Sequence, residues 1–150
     1  MKKIEKILAP TDFSELSASG VQYALELARS WSSTVTLLNV ADATELANYQ
    51  AHSLEDLVKK HERMLDEFLG QIGANVTPPL KITKKIELGS PASTILEAAQ
   101  KERVDLIVMS THGRTGLAHM LMGSVTEKVI RLASCPVFSI HQPQAEQSSA

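Results

Sequence analysis

The sequence predicts an α/β domain: an open, doubly wound, five-stranded parallel sheet with helices on both faces. Three observations lead there. Short apolar runs rich in β-branched residues alternate with longer stretches whose apolar residues recur at helical spacing. The order strand, helix, strand is kept along the chain, which implies parallel strands joined by crossover helices. The short runs at 4–9, 34–40 and 104–109 are apolar enough for burial on both faces, as a parallel sheet requires.

The elements follow in order. Ile4 to Ala9 is strand-like and stops at Pro10. Ser14 is a helix N-cap, and Val21, Ala24, Leu25, Ala28 and Trp31 then mark a helix of about four turns. Thr34 to Val40 reads as a buried strand. Residues 41–52 are polar and weakly patterned, a loop or a frayed helix start. Leu54, Leu57, Val58, His61, Leu65, Phe68, Leu69 and Ile72 form an apolar helical stripe that Gly73 ends, with His61 as a half-buried structural residue. The stretch 75–80, with Pro78-Pro79, is a loop. Lys81 to Leu88 alternates polar and apolar, as a half-exposed strand does. Ser90 is a second N-cap, with Pro91 in the first turn and Ile95, Leu96 and Ala99 as the inner face. A strand over 104–109, a glycine loop, a helix from about 125 to 134 and a strand from Pro136 to Ile140 complete a single domain over 1–141. The Gln/Ser/Ala-rich tail at 142–150 reads as disordered.

Composition narrows the function. A chain of 150 residues with a net charge of −2 and a pI near 6.2 lacks the basic stripe of a nucleic-acid binder. The one cysteine, Cys135, excludes an intrachain disulfide and fits a reducing compartment; it reads as an inert, small buried residue. No apolar run approaches the ~20 residues of a membrane helix, and the charged N-terminus is a poor signal peptide. A cytoplasmic protein is expected. Its five histidines show no metal-ligand spacing.

The strongest functional signal is the crowding of Gly113, Gly116 and Gly123 into eleven residues of a chain with seven glycines. The stretch lies between an apolar strand and a helix. Glycine permits close backbone approach, and a helix N-terminus offers unpaired N–H groups, so backbone amides could hold a phosphate there. Gly113 and Gly116 read equally well as turn residues. Ser124-Val-Thr-Glu127 also reads as a capping box, with Ser124 as N-cap. Neither the P-loop nor the Rossmann glycine pattern is present. The second candidate loop is Pro10-Thr11-Asp12-Phe13-Ser14, after the first strand; Asp12 reads either as a ligand contact or as a cap of the first helix. Asp105 lies at the opposite end of its strand and is set aside.

Pro10-Thr11-Asp12-Phe13-Ser14, together with Met109-Ser-Thr-His-Gly-Arg-Thr-Gly116 running through to Glu127, resembles the universal stress protein family over nearly the whole chain. The ATP-binding branch of that family carries Gly-x2-Gly-x9-Gly-Ser/Thr; Gly113, Gly123 and Ser124 match it, while Ser110 stands at its first glycine. The resemblance implies strand order 3-2-1-4-5 and an ATP site, alone or with Mg²⁺, in the crevice between strands one and four. It implies that Pro10, Thr11 and Asp12 border the site, with Asp12 on the adenine amino group or the ribose. Val40 and Met109 would line the base. Gly113, Gly123, Ser124 and Val125 would hold ribose and phosphates, with Ser110 and Thr126 beside them. Ser110 is expected to obstruct close backbone approach mildly, and it favours an alternative: a family member that binds no nucleotide and acts only through partners. A slow nucleotide hydrolase is the other alternative, slow because no water-activating base can be assigned.

Pro136 cannot donate a ladder bond, so the last strand is expected at a sheet edge. Pro136, Val137, Phe138, Ser139 and Ile140 carry no charge, and such an edge invites pairing with a second copy. The resemblance points to the same homodimer. The leading expectation is a dimeric, ATP-binding stress-response sensor or adaptor.

Overall fold

The computed structural model describes residues 2–48, 53–112 and 122–141. In chain order the elements are β1 (Lys6–Pro10), α1 (Glu15–Trp31), β2 (Thr34–Ala41), α2 (Ala43–Asn48), α3 (Leu54–Gln71), β3 (Lys81–Leu88), α4 (Pro91–Lys101), β4 (Leu106–Ser110), α5 (Ser124–Leu132) and β5 (Val137–Ile140). The five strands form one sheet in the order β3-β2-β1-β4-β5, with all neighbouring strands parallel.

The strand period of two divides the core. Ile7, Ala9, Val35, Leu37, Leu106 and Val108 face α1 and α3, whose Val21, Ala24, Leu25, Leu65 and Phe68 cover them. Leu8, Leu38, Ile107 and Met109 face the other way, toward Ala92, Ile95, Ala99 and Val129 of α4 and α5. The central strands β1 and β4 are buried almost throughout.

Local signals set the helix ends. The Ser14 hydroxyl accepts from Ser17 N, an N-cap of the kind worth about 1 kcal/mol. Ser53 caps α3 in the same way through Asp56 N. Beyond α3, Gly73 takes φ +64°, the left-handed conformation expected after a helix C-terminus. Ser90 is at the N-cap of α4, with Pro91 following it, but its side chain makes no capping bond.

The structure corrects several boundaries. The weakly patterned segment after β2 holds a short helix, α2, which Asp42 starts by accepting from Thr44 N at 2.9 Å. The fourth strand runs from Leu106 to Ser110, and α5 from Ser124 to Leu132. The capping box does not form with Ser124 as cap. Gly123 is the N-cap and Ser124 the first helical residue, so the cap residue itself offers no side-chain bond. Gly113, Gly116 and the tail at 142–150 lie outside the described residues.

The two sheet edges differ. β3 carries Lys81, Lys84 and Lys85, with Lys84 paired to Asp66 of α3 and Lys85 to Glu102. Lysines on an edge deter pairing with another chain. β5, at the other edge as its proline predicts, is uncharged and exposes Phe138. Among the described residues no helix is long and apolar enough to cross a membrane.

Candidate functional site

β1 pairs with β2 over its full length, up to Pro10 against Leu38, but with β4 only at Ile7–Leu106 and Leu8–Ile107. Beyond those pairs β1 and β4 part. Their crossover helices leave on opposite faces of the sheet, so the parting falls at the topological switch point, where open α/β sheets bind ligands.

A cavity of about 450 Å³ opens there, ample for a nucleotide-sized ligand. Pro10, Thr11 and Asp12 border it from the β1 loop, Leu38 and Val40 from β2, and Met109 and Ser110 from the end of β4. Gly123, Ser124, Val125 and Thr126 close the far side with the start of α5. Every described residue expected at the site therefore lines it. Gly113 falls outside the described residues. His112, Pro91 and Ile95 also line the cavity, as do Asp42 and Glu45. Sequence reasoning missed the two carboxylates because they lie in the unpatterned segment after β2, which only folding turns toward the crevice.

The β1 loop is fixed from within. Thr11 N donates to Leu38 O at 2.9 Å, and the Thr11 hydroxyl is 2.7 Å from that of Ser17 while accepting from Phe13 N. Asp12 Oδ1 accepts from Ser14 N at 3.0 Å and from the Ser14 hydroxyl. Asp12 thus closes the turn, while Ser14 is the cap of α1. Phe13 has φ +66°, a conformation rare for a bulky residue and held only where neighbours impose it. Its neighbours are the rings of His61 and Phe68, with centroids at 5.9 and 6.1 Å.

The opposite wall is electropositive for a backbone reason. The first amides of any α-helix have no intrahelical acceptor. In α5 the N-cap, Gly123, supplies no side-chain bond to them, and the dipole end points at the cavity wall formed by residues 123–126. Gly123 N donates to Thr111 O at 2.7 Å, and Thr126 Oγ1 donates to Ser110 O at 2.8 Å, fastening the helix start to the end of β4. Gly123 has φ −71°, so its need for glycine is not conformational. A Cβ there would lie 3.2 Å from Thr111 O, tighter than ordinary contact.

Ser110 departs from its expected role as a mild obstruction. By strand alternation its side chain leaves the sheet on the α1 face, where Oγ accepts from Gly20 N at 3.0 Å and lies 3.2 Å from the Ser19 hydroxyl. Its backbone, not its hydroxymethyl group, borders the α5 side of the crevice.

His61 is buried rather than half-buried, at 4% exposure. It bonds to Asn39 and to Glu45. Asp105 is at the far end of the sheet, as expected. It accepts from Glu5 N and Lys6 N and pairs with Lys2. Cys135 is half-buried rather than buried, and desolvation still pushes its thiol up from its ordinary value. No group of three or more metal-ligating side chains occurs among the described residues.

The fold and its crevice define the class, an open α/β sheet with a cavity at its switch point, acidic on one wall and bordered by helix amides on the other. Comparison with known proteins assigns the family. The universal stress protein family model matches residues 3–141. Universal stress protein MJ0531 of Methanocaldococcus jannaschii is 32% identical over 95% of this chain and 85% of its own length. The solved structure of MJ0577, a universal stress protein of the same organism, superposes with a TM-score of 0.74 at 28% identity, covering 96% of this chain and all of the other. A universal stress protein solved in complex with cAMP shares the fold, with a TM-score of 0.67 at 21% identity over 95% of this chain. The chain belongs to the universal stress protein family.

Proposed function

We propose that this protein binds ATP in the β1/β4 crevice and acts as a dimeric sensor or adaptor in a stress response. One observation carries the reading: a 450 Å³ cavity bounded by the Asp12 loop on one side and by the side-chain-free cap of α5 on the other. A carboxylate suits the hydrogen-bond donors of an adenine amino group or a ribose. Helix-start amides suit phosphate oxygens. Val40 and Met109 offer apolar surface for the base, and Gly123 leaves room for backbone approach by the phosphates. The engagement of the Ser110 side chain with α1 supports binding, because the feature that favoured a non-binding family member points away from the crevice. Turnover is not part of the proposal.

The test is thermal unfolding with ATP and with adenosine. A ligand at 100 times its dissociation constant adds about 2.7 kcal/mol of stability. ATP should protect more than adenosine at equal concentration. A folded protein that millimolar ATP does not shift would overturn the reading.

A further inference from the structure

We propose that His61 and Glu45 share a proton that positions the β1 loop, making ligand binding in the crevice proton-linked. The argument rests on the crevice being the nucleotide site, and it starts from hydrogen-bond polarity.

Asn39 Nδ2 donates to Thr11 O at 2.9 Å. A backbone carbonyl only accepts, so this bond fixes the amide and leaves Asn39 Oδ1, an acceptor, facing His61 Nδ1 at 2.7 Å. Nδ1 therefore carries a hydrogen. The other ring nitrogen, Nε2, lies 2.9 Å from Glu45 Oε2. With Nδ1 already protonated, that contact needs one more proton, either on Nε2 or on the carboxyl. In both forms the pair holds one proton beyond a neutral imidazole and a carboxylate. Its release to solvent would leave the Nε2 lone pair facing carboxylate oxygen.

The side chain free to respond is that of Glu45. His61 is buried and held by Asn39 and the Phe13 ring, whereas the Glu45 side chain is 28% exposed. Both ends of the relay border the crevice, Thr11 at one and Glu45 at the other. Asp12 lies between two residues that this unit holds, Thr11 through Asn39 and Phe13 through ring contact. Other charged groups surround the pair. Asp12, Asp42 and His112 line the adjoining cavity, Lys60 and Glu62 flank His61 along α3, and Lys84 of β3 pairs with Asp66 on the same sheet face. Loss of the shared proton takes the pair from net neutral to net negative beside Asp12 and Asp42, which opposes an anionic ligand. Binding should therefore weaken as pH rises. His61 is a positioning residue in this scheme.

Glu45→Gln separates the proton from the contact, because its amide can donate to a neutral Nε2 at any pH. Calorimetric titration of ATP into the full chain and into Glu45→Gln, from pH 6 to pH 9, reads the effect as a ratio in which the titration of ATP itself cancels. The wild-type dissociation constant should rise relative to the variant's by at least about fivefold across the range, the low end of site–site coupling. A flat ratio with ATP bound would overturn the inference and leave the nucleotide reading standing. Absence of ATP binding at every pH would overturn the nucleotide reading instead, and a ligand-free measurement then decides the inference. In ¹⁵N spectra, Nδ1 should stay protonated throughout, and the Thr11 and Phe13 amides should shift with the Nε2 titration. A ring that titrates without moving those amides, or that carries its hydrogen only on Nε2, would overturn it.

Discussion

Gly20 and Ser110 are fitted to each other. Gly20 lies in α1, and a Cβ built on it would stand 2.7 Å from Ser110 N and 2.9 Å from both Ser110 Oγ and Met109 C. The missing side chain lets α1 lie directly on the end of β4, and the hydroxyl of Ser110 accepts from the Gly20 amide across that approach. The site-bordering end of β4 is thereby tied to the first helix.

Gly20→Ala should destabilise the protein although alanine is the better helix former. Helix propensity alone would favour alanine by about 1 kcal/mol. Overpacking against rigid backbone costs about 1–3 kcal/mol. A net loss of stability in denaturant titration is expected, with Ser110→Gly insufficient to rescue it, because Ser110 N and Met109 C remain in the way. A gain in stability would mean that α1 is not held so close.

Gly123→Val should weaken ATP binding by at least about tenfold, equivalent to 1.4 kcal/mol, with the fold retained. The branched side chain would press on Thr111 O and stand between the α5 amides and a phosphate. Calorimetry on a variant whose far-ultraviolet spectrum matches the wild type checks this. Unchanged affinity would place the phosphates elsewhere.

The open edge of β5 should pair with a second copy, and its register indicates how to block it. The carbonyls of Pro136 and Ile140 accept from Ile107 N and Thr111 N. By the two-residue strand period, the amides of Val137 and Ser139 then face outward. Ser139→Pro removes an outward amide while sparing the ladder to β4. Light scattering should show a dimeric wild type and a folded, monomeric variant. A monomeric wild type at micromolar concentration would refute the dimer.

At the opposite end of the sheet, the Lys2 ammonium and then the Glu5 and Lys6 amides hold the Asp105 carboxyl below its ordinary value of 3.8, against the opposing effect of burial. A carboxyl depressed on folding contributes stability above its unfolded value, and that contribution is lost as pH falls through the folded value. Asp105→Asn should therefore lower the melting temperature at pH 7. The gap to the wild type should close as the pH drops below 3.8. A gap that persists undiminished in acid would show that the charge is not what Asp105 contributes.

Much of this was legible in the residues themselves. Periodicity set the strands and helices, because burial on one face or two leaves a pattern that any window of sequence displays. Ser14, Pro91 and Gly73 marked helix ends because capping and φ restriction act within a few residues. The Asp12 loop and the Gly123-Ser124 start of α5, both of which border the crevice, are recognisable because each is contiguous in sequence. Only the tertiary structure decided how distant parts meet. Strand alternation turns Ser110 toward Gly20, ninety residues away, so its effect on the crevice could not be judged from a motif that treats it as a missing glycine. Gly123 rather than Ser124 caps α5, since a local capping box competes with the bonds that fasten the helix start to Thr111 and Ser110. Thr11, Asn39, Glu45 and His61 come from four separate elements, and their hydrogen bonds exist only once the sheet and α3 have packed. Local rules act over a turn or a strand; the polarity of a buried network depends on which groups folding leaves with no other partner.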